Sequence, residues 1–248
     1  MPRELRDIAQ TYDRIHARRP ERPATDDPWH DWTKRAVDRS TDLDGRRVLE
    51  AGCGRGGFSH WIAAHATPAL FVASDFSTAA LHIARDTNPG PGGPVGWPAA
   101  DVAHLPFTND AFDTVFCCET IEHVLDPPAV VRELARVLAP GGRLFLTTPS
   151  YLNATGLYRG YLRLVGRRYD EGGQPVAQFT MLPLTLAWVR RAGLVVERVD
   201  GSGHYLPFPG RAPMRALALD APALRPLLKW AALHSSIVAR KPVTAARP

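Results

Sequence analysis

The segment that most constrains this chain is RRVLEAGCGRGG, residues 46–57. A short apolar run ends in Gly52, Gly54, Gly56 and Gly57, and the helical stretch FSHWIAAHA follows at once. The pattern reads as strand, tight loop, helix. Glycines at such a turn let the backbone bend sharply and let a ligand touch the main chain.

The next hundred residues keep that rhythm. ALFVASD is a second strand, and Ser77 caps a helix through Ala84. NPGPGGPVGWP is turn-rich. VGWPAAD carries a weak third strand ending at Asp101, and FDTVFCCE a strong fourth. PAVVRELARVLAPGG has helical spacing stopped by its paired glycines, and GRLFLTTP is a fifth strand. After Pro149 the alternation lapses. Residues 150–181 are too long for an ordinary connection and are expected to be functional or mobile. LTLAWVRRAGL is then a helix and VVERVD a sixth strand. A proline-rich arm follows, and HSSIVARKP closes the chain as a strand. The expected fold is therefore α/β: a doubly wound, mostly parallel, seven-stranded sheet with inserts after strands 5 and 6. We read residues 1–45 as an N-terminal helical lid, 46–149 as the binding core and 150–248 as substrate-facing inserts and closing strands, all in one domain.

Composition excludes little. At 248 residues, 45% hydrophobic and 22% charged, the chain suits one such domain. The net charge of +5 rests on arginine, since the lysines are Lys34, Lys229 and Lys241 alone. No dense lysine patch or RNA-binding module is visible, so nucleic acid is disfavoured as a partner. Cys53, Cys117 and Cys118 lack metal-finger or CxxC spacing and are expected as buried free thiols. MPRELRDIAQ has no apolar signal core and no run approaches a membrane span of about 18 residues, so a cytoplasmic protein is expected.

The glycine loop alone admits two ligands. Gly52, Gly54 and Gly57 also satisfy G-x-G-x-x-G, so a nicotinamide enzyme is a rival. Asp75, ending the second strand, accepts two ribose hydroxyls in either case. Three features discriminate. No tyrosine among Tyr151, Tyr158, Tyr161 and Tyr169 has a lysine four residues on, so the YxxxK of short-chain dehydrogenases is missing. Asp101 can accept an adenine amino group while the Val102 amide meets a ring nitrogen. The chain also closes with a sixth strand, a long arm and a last strand.

VLEAGCGRGG, VASDFS, ADVAHLPF, FDTVFCCETIEHVLDP and RELARVLAPGGRLFLTTP together resemble the successive motifs of the class I S-adenosylmethionine (SAM)-dependent methyltransferases, over residues 46–149. The resemblance implies that Glu50, Gly52, Gly54 and Gly56 cradle the methionine part of SAM. It further implies that Asp75 holds the ribose with Phe76 against the adenine, and that Asp101 and Val102 read the adenine edge.

Glu119, Glu122 and His123 follow the fourth strand, where ligands bind in such sheets. If the chain turns helical at Glu119, positions i, i+3 and i+4 share a face. A divalent cation would offset the repulsion of the two carboxylates; the alternative is that Glu122 and His123 only cap a helix. The chain resembles the ubiquinone-biosynthesis O-methyltransferases in this ExxEH and in a later GxHYxP-like segment containing His204. That resemblance implies a metal on Glu119, Glu122, His123 and His204 that grips neighbouring hydroxyls of the substrate. Magnesium is implied, although two imidazoles suit manganese, iron or zinc better. Residues 150–181 and 205–233 do not match those enzymes closely, so their substrate is not carried over. The expected activity is metal-assisted O-methylation of a small molecule with vicinal oxygens, sugar or catechol-like. The alternatives are metal-free N-, C- or carboxyl-methylation, then RNA 2′-O-methylation.

Other residues have plainer expectations. Tyr12 either covers SAM or simply packs, and His30, in PWHDWTK, is expected on exposed helix surface, the alternative being that it reaches the site if the N-terminal region closes as a lid. Arg159, Arg163, Arg167 and Arg168 form a basic face opposite Leu157, Tyr161, Leu164 and Val165. This pattern suits a solvated helix, with peripheral membrane contact as an alternative.

Overall fold

The structure is a computed structural model that describes residues 3–18, 28–87, 95–167, 173–208 and 211–243. Two helices, α1 (Arg3–Arg18) and α2 (Pro28–Ala36), and a π-helical turn (Arg39–Leu43) precede β1 (Arg47–Ala51). Then come α3 (Gly57–His65), β2 (Leu70–Ser74), α4 (Thr78–Thr87), β3 (Val95–Gly96) and β4 (Phe112–Cys118). A 3-10 turn (Ile121–His123), α5 (Pro127–Val137) and β5 (Leu138–Pro149) follow. The remainder holds α6 (Ala154–Leu164), α7 (Leu182–Arg191), β6 (Val195–Ser202), β7 (Tyr205–Phe208), β8 (Arg211–Arg215), a second 3-10 turn (Leu217–Asp220), α8 (Arg225–Leu228) and β9 (His234–Arg240).

The main sheet has seven strands in the order β3-β2-β1-β4-β5-β9-β6. Its β1–β2, β1–β4, β2–β3 and β4–β5 pairs are parallel, and β9 runs antiparallel to both β5 and β6. Expected and observed architecture agree. The order reverses at β1, so the carboxyl ends of β1 and β4 flank a crevice where such sheets take ligands.

Successive strand residues point to opposite faces, and the core divides accordingly. Leu49, Val115 and Leu144 join one buried cluster, with Val130 and Leu134 of α5 and Leu186 of α7. Val48, Phe116, Phe145 and Val238 join the other, with Phe58 and Ile62 of α3 and Trp32 of α2. Phe116 stacks on Phe145 at 4.9 Å and meets Phe58 edge-on at 5.1 Å. The three cysteines are free and buried.

Two boundaries differ from expectation. The third strand shrinks to Val95–Gly96 plus a single bridge between Asp75 and Ala99, so Asp101 lies in the loop beyond it. Helix α5 stops at Val137, before the paired glycines, because Leu138 is already extended. Ala139 precedes Pro140, a position biased away from helix, so the strand takes over early.

The N-terminal segment is fastened to the sheet. The Trp32 indole donates to Asp200 of β6 at 2.8 Å, and the Thr33 hydroxyl lies 3.7 Å from the Cys118 thiol at the end of β4. Asp42, only 1% exposed, accepts from Arg143 of β5 at 2.9 Å with both oxygens. Among the described residues, no helix is long and apolar enough to cross a membrane. On helix α6 and just after it Arg163 and Arg167 are exposed, as expected for a solvated face, but Leu157, Tyr161 and Leu164 are exposed too and the Arg159 guanidinium lies 4.1 Å from the Tyr151 ring centre; Arg168 lies outside the described residues.

Removing one partner of a buried ion pair leaves the other uncompensated, typically at about 3 kcal/mol or more. Asp42→Ala is therefore expected to lower stability by about 3 kcal/mol, read from the urea midpoint at unchanged slope. A change below about 1 kcal/mol would show that Glu197, the second carboxylate on Arg143, carries the pair alone.

Candidate active site at the carboxyl ends of β1, β2 and β4

The glycine loop closes on the strand beside it. Both Gly52 and Cys53 amides donate to the Ser74 carbonyl, at 2.8 and 2.9 Å. Gly52 has φ +78°, and a Cβ there would collide with the Thr120 side chain. The loop after β4 therefore lies directly on the glycine loop. Gly54, at φ +54°, has no atom within 4 Å of where a Cβ would be, which leaves an open surface for a ligand.

Two carboxyl groups, half-buried Asp75 and buried Glu50, border that surface. Asp75 accepts the Gly54 amide on one oxygen and the Ser77 amide on the other, each at 2.8 Å. Burial raises its pKa, against those amides and the nearby charge of His16 on α1. Glu50, 3% exposed, accepts the Ser59 hydroxyl of α3. Burial pushes Glu50 up to about 8; the Ser59 bond opposes this and the charge of Asp75 adds to it. Two carboxyl groups whose ionised forms burial disfavours suit a positively charged ligand, which favours those forms.

The other expected cofactor residues lie nearby in sequence and structure. Phe76 is half-buried beside Asp75, and Val102 is buried. Asp101 turns its carboxylate to the Ala103 amide at 2.9 Å and to His104 at 3.1 Å. Helix α1 reaches over this region. Asp13 accepts from the Ser77 hydroxyl at 2.6 Å and the Ala79 amide at 3.0 Å, and the Tyr12 hydroxyl donates to the His123 carbonyl at 3.4 Å.

The four expected metal ligands are not brought together. Glu119 adopts a left-handed backbone, φ +49°, so the helix that would align it with Glu122 and His123 does not form; only Ile121–His123 make a 3-10 turn. Glu122, 2% exposed, accepts the Thr148 hydroxyl at 2.9 Å. His123 stands 3.8 Å from Glu122 and directs Nδ1 to the Val176 carbonyl at 3.0 Å. His204 faces the arm instead: Nδ1 meets Asp220 at 2.8 Å and Nε2 the Leu228 carbonyl at 3.0 Å. Both ring nitrogens are thus engaged within the arm and not with Glu119, Glu122 or His123. Among the described residues, no three His, Cys, Asp or Glu side chains group as a metal site. The assignment of Glu119, Glu122, His123 and His204 to one ion is thus corrected by the donor set itself.

Glu119 has other company, which the sequence did not disclose. Its Oε2 lies 3.2 Å from Nδ1 of His234, the first residue of β9. Burial works against the charged imidazole, yet the bond to Glu119 and its charge outweigh it and raise the His234 pKa. The signal was present in the closing hairpin: an antiparallel last strand starts at the end of the sheet where the parallel strands finish. His30, expected on the surface, is largely buried with its ring 5.3 Å from Phe58. Burial lowers its pKa to about 4, helped by Lys34 and opposed by Glu119 and Asp31.

Comparison with known proteins agrees with this arrangement. Residues 49–146 match a family model described as a methyltransferase domain. The chain is 36% identical over 182 residues to the ubiquinone biosynthesis O-methyltransferase of Xanthomonas euvesicatoria, covering 71% of this chain and 73% of that one. It is 38% identical over 114 residues to the methyltransferase GfsG of Streptomyces halstedii, covering 45% of this chain and 41% of that one. The fold matches the SAM-dependent methyltransferase of Mesorhizobium loti with a TM-score of 0.60 at 21% identity, over 88% of this chain and all of the other. With a seven-stranded, mostly parallel sheet of the same fold and a relative of this identity and coverage, the chain belongs to the class I SAM-dependent methyltransferases, as a relative of the ubiquinone-biosynthesis O-methyltransferases.

Proposed function

We propose that this enzyme transfers the methyl group of SAM to a hydroxyl of a small molecule, sugar or catechol-like. The observation that carries the oxygen acceptor is the 36% likeness to an O-methyltransferase over most of both chains. Bound SAM supplies an electrophilic methyl on a sulfonium. Glu50 and the amides around Gly52, Gly54 and Gly56 hold the methionine part; Asp75 takes the ribose hydroxyls, Phe76 lies against the adenine, and Asp101 with Val102 reads its edge. The chain's remaining task is to hold an oxygen in line with the methyl, where fixed geometry removes most of the entropic barrier. The expected divalent cation does not fit the donor set of Glu119, Glu122, His123 and His204, and no step is assigned to it. The requirement for two neighbouring oxygens rested on that cation and falls with it.

Asp75→Ala is expected to weaken SAM binding by about 3 kcal/mol, the worth of one or two charge-assisted hydrogen bonds. Calorimetry on a variant with unchanged circular dichroism reads this directly, and an unaltered affinity would reject the ribose role.

Glu50, held up to about 8, carries its proton at pH 7 in the free enzyme. A cationic ligand alongside favours the ionised form, so SAM binding at pH 7 should release up to one proton, and release should fade above roughly pH 9. Calorimetry in phosphate and in Tris separates the cases: identical binding enthalpies would mean that Glu50 is already ionised or never becomes so.

Turnover on hydroxyl-bearing acceptors is expected to survive excess EDTA. Loss of activity restored by added magnesium or manganese would bring back a metal role for the Glu122–His123 pair. Methylation of amines or carboxylates alone would replace the oxygen reading.

A further inference from the structure

We propose that Oε1 of Glu119 and Nδ1 of His30 together hold the acceptor's hydroxyl group, with His234 as the positioning residue that fixes the Glu119 carboxylate. This deepens the O-methylation reading and rests on it.

Both atoms are sealed from solvent and have no hydrogen-bond partner within the protein. Buried polar atoms are almost always satisfied, and those that are not point to a missing water or ligand. Here two of them belong to different elements that approach each other: Thr33 of α2 meets Cys118 beside Glu119, and the charge of Glu119 acts on the His30 ring. Glu119 follows β4, and its neighbour Thr120 lies on Gly52 of the cofactor loop. Its backbone amide is tied to Thr147, donating to the carbonyl at 3.0 Å. Its Oε2 is occupied by His234. Only Oε1 is left over. His30 approaches from α2. Thr33, one turn on and on the same helix face, sits against Cys118, the residue before Glu119. Trp32 anchors that helix to Asp200, and the charge of Glu119 acts on the His30 ring.

The pair defines a chemical class. With its proton on Nδ1, His30 donates while Glu119 accepts, and a hydroxyl answers both at once. A carboxylate brings only acceptors and a negative charge next to Glu119. A hydrocarbon leaves both atoms unsatisfied. Sites built to hydrogen-bond a hydroxyl reject the analogue lacking it far more strongly than apolar pockets discriminate by size. The ligand is thus a neutral alcohol or phenol.

Phenol, toluene and benzoate are suitable probes, titrated into the full-length protein saturated with S-adenosylhomocysteine. Phenol should bind at least about tenfold tighter than either of the others and shift the ring resonances of His30 and His234. Glu119→Gln and His30→Ala should each reduce that preference to about twofold or less at unchanged S-adenosylhomocysteine affinity. His234→Ala should reduce it too, and His234→Asn, which keeps a donor near the Nδ1 position, should restore it. A wild-type protein that treats phenol and toluene alike overturns the proposal without any variant, the atoms then holding only water. A preference that survives in both Glu119→Gln and His30→Ala overturns it as well. Methyl transfer is read separately. Phenol preference with methylation of nitrogen acceptors alone keeps the subsite and discards the O-methylation reading. Methylation of a hydroxyl acceptor with unchanged KM in His30→Ala does the reverse.

Discussion

Asp75 is the fixed point around which the cofactor region is assembled. One oxygen takes the Gly54 amide and shapes the glycine loop; the other takes the Ser77 amide and starts α4. Ser77 then caps that helix by accepting the Ala80 amide at 3.1 Å and donates its own hydroxyl hydrogen bond to Asp13. Through three side chains, β2, the loop after β1, α4 and the N-terminal α1 share one hydrogen-bonded chain. A group that does so much inside the protein must remain an acceptor, although burial opposes its charge. A cationic cofactor relieves that conflict, and the loop is shaped before the ligand arrives.

The same logic governs the far side of the crevice. Glu119 sits at φ +49°, a region that residues other than glycine rarely adopt. The turn ends β4 abruptly and places Thr120 on the glycine loop. Strain of this sort persists where surrounding structure over-determines it, and it concentrates at functional sites. Both walls of the crevice therefore carry carboxyl groups, Glu50 and Asp75 on one side and Glu119 on the other. Burial lowers the pKa of His30 on α2 to about 4, whereas at His234 the bond to Glu119 and its charge outweigh burial and raise the pKa.

Much of this was legible in the sequence where the signal is local. Alternation of strand and helix located β1, β2, β4, β5, β6 and β9, and the motif series from Gly52 to Pro149, not the glycine loop alone, pointed to the ligand class. The glycine stop at 141–142 misled, because Leu138-Ala139-Pro140 already prefers an extended chain. The metal assignment failed for a different reason. Spacing says which residues share a helix face only if a helix is present, and the left-handed Glu119 prevents one. His204 was placed near the right end of the sheet, but spacing is silent about direction, and Asp220 and Leu228 of the arm turn it away. His30 and His234 lay outside any motif. Their relation to Glu119 exists only because α2 folds back onto β4 and β9 inserts between β5 and β6, contacts separated by scores of residues.

That insertion of β9 also orders events during synthesis. Strand β6 leaves the ribosome before β9, yet it has no place in the sheet until β9 supplies the edge it pairs with. Until residues 234–240 emerge, β5 offers an open, apolar edge (Leu144, Phe145 and Leu146 are fully buried in the finished protein) to any neighbouring nascent chain. Such edges are prone to intermolecular pairing, and sheets closed by late, distant strands fold slowly. The half of the crevice built by Glu119 and His234 is consequently the last to exist: the glycine loop and Asp75 can take shape on the nascent chain, whereas the Glu119 side waits for the final strand.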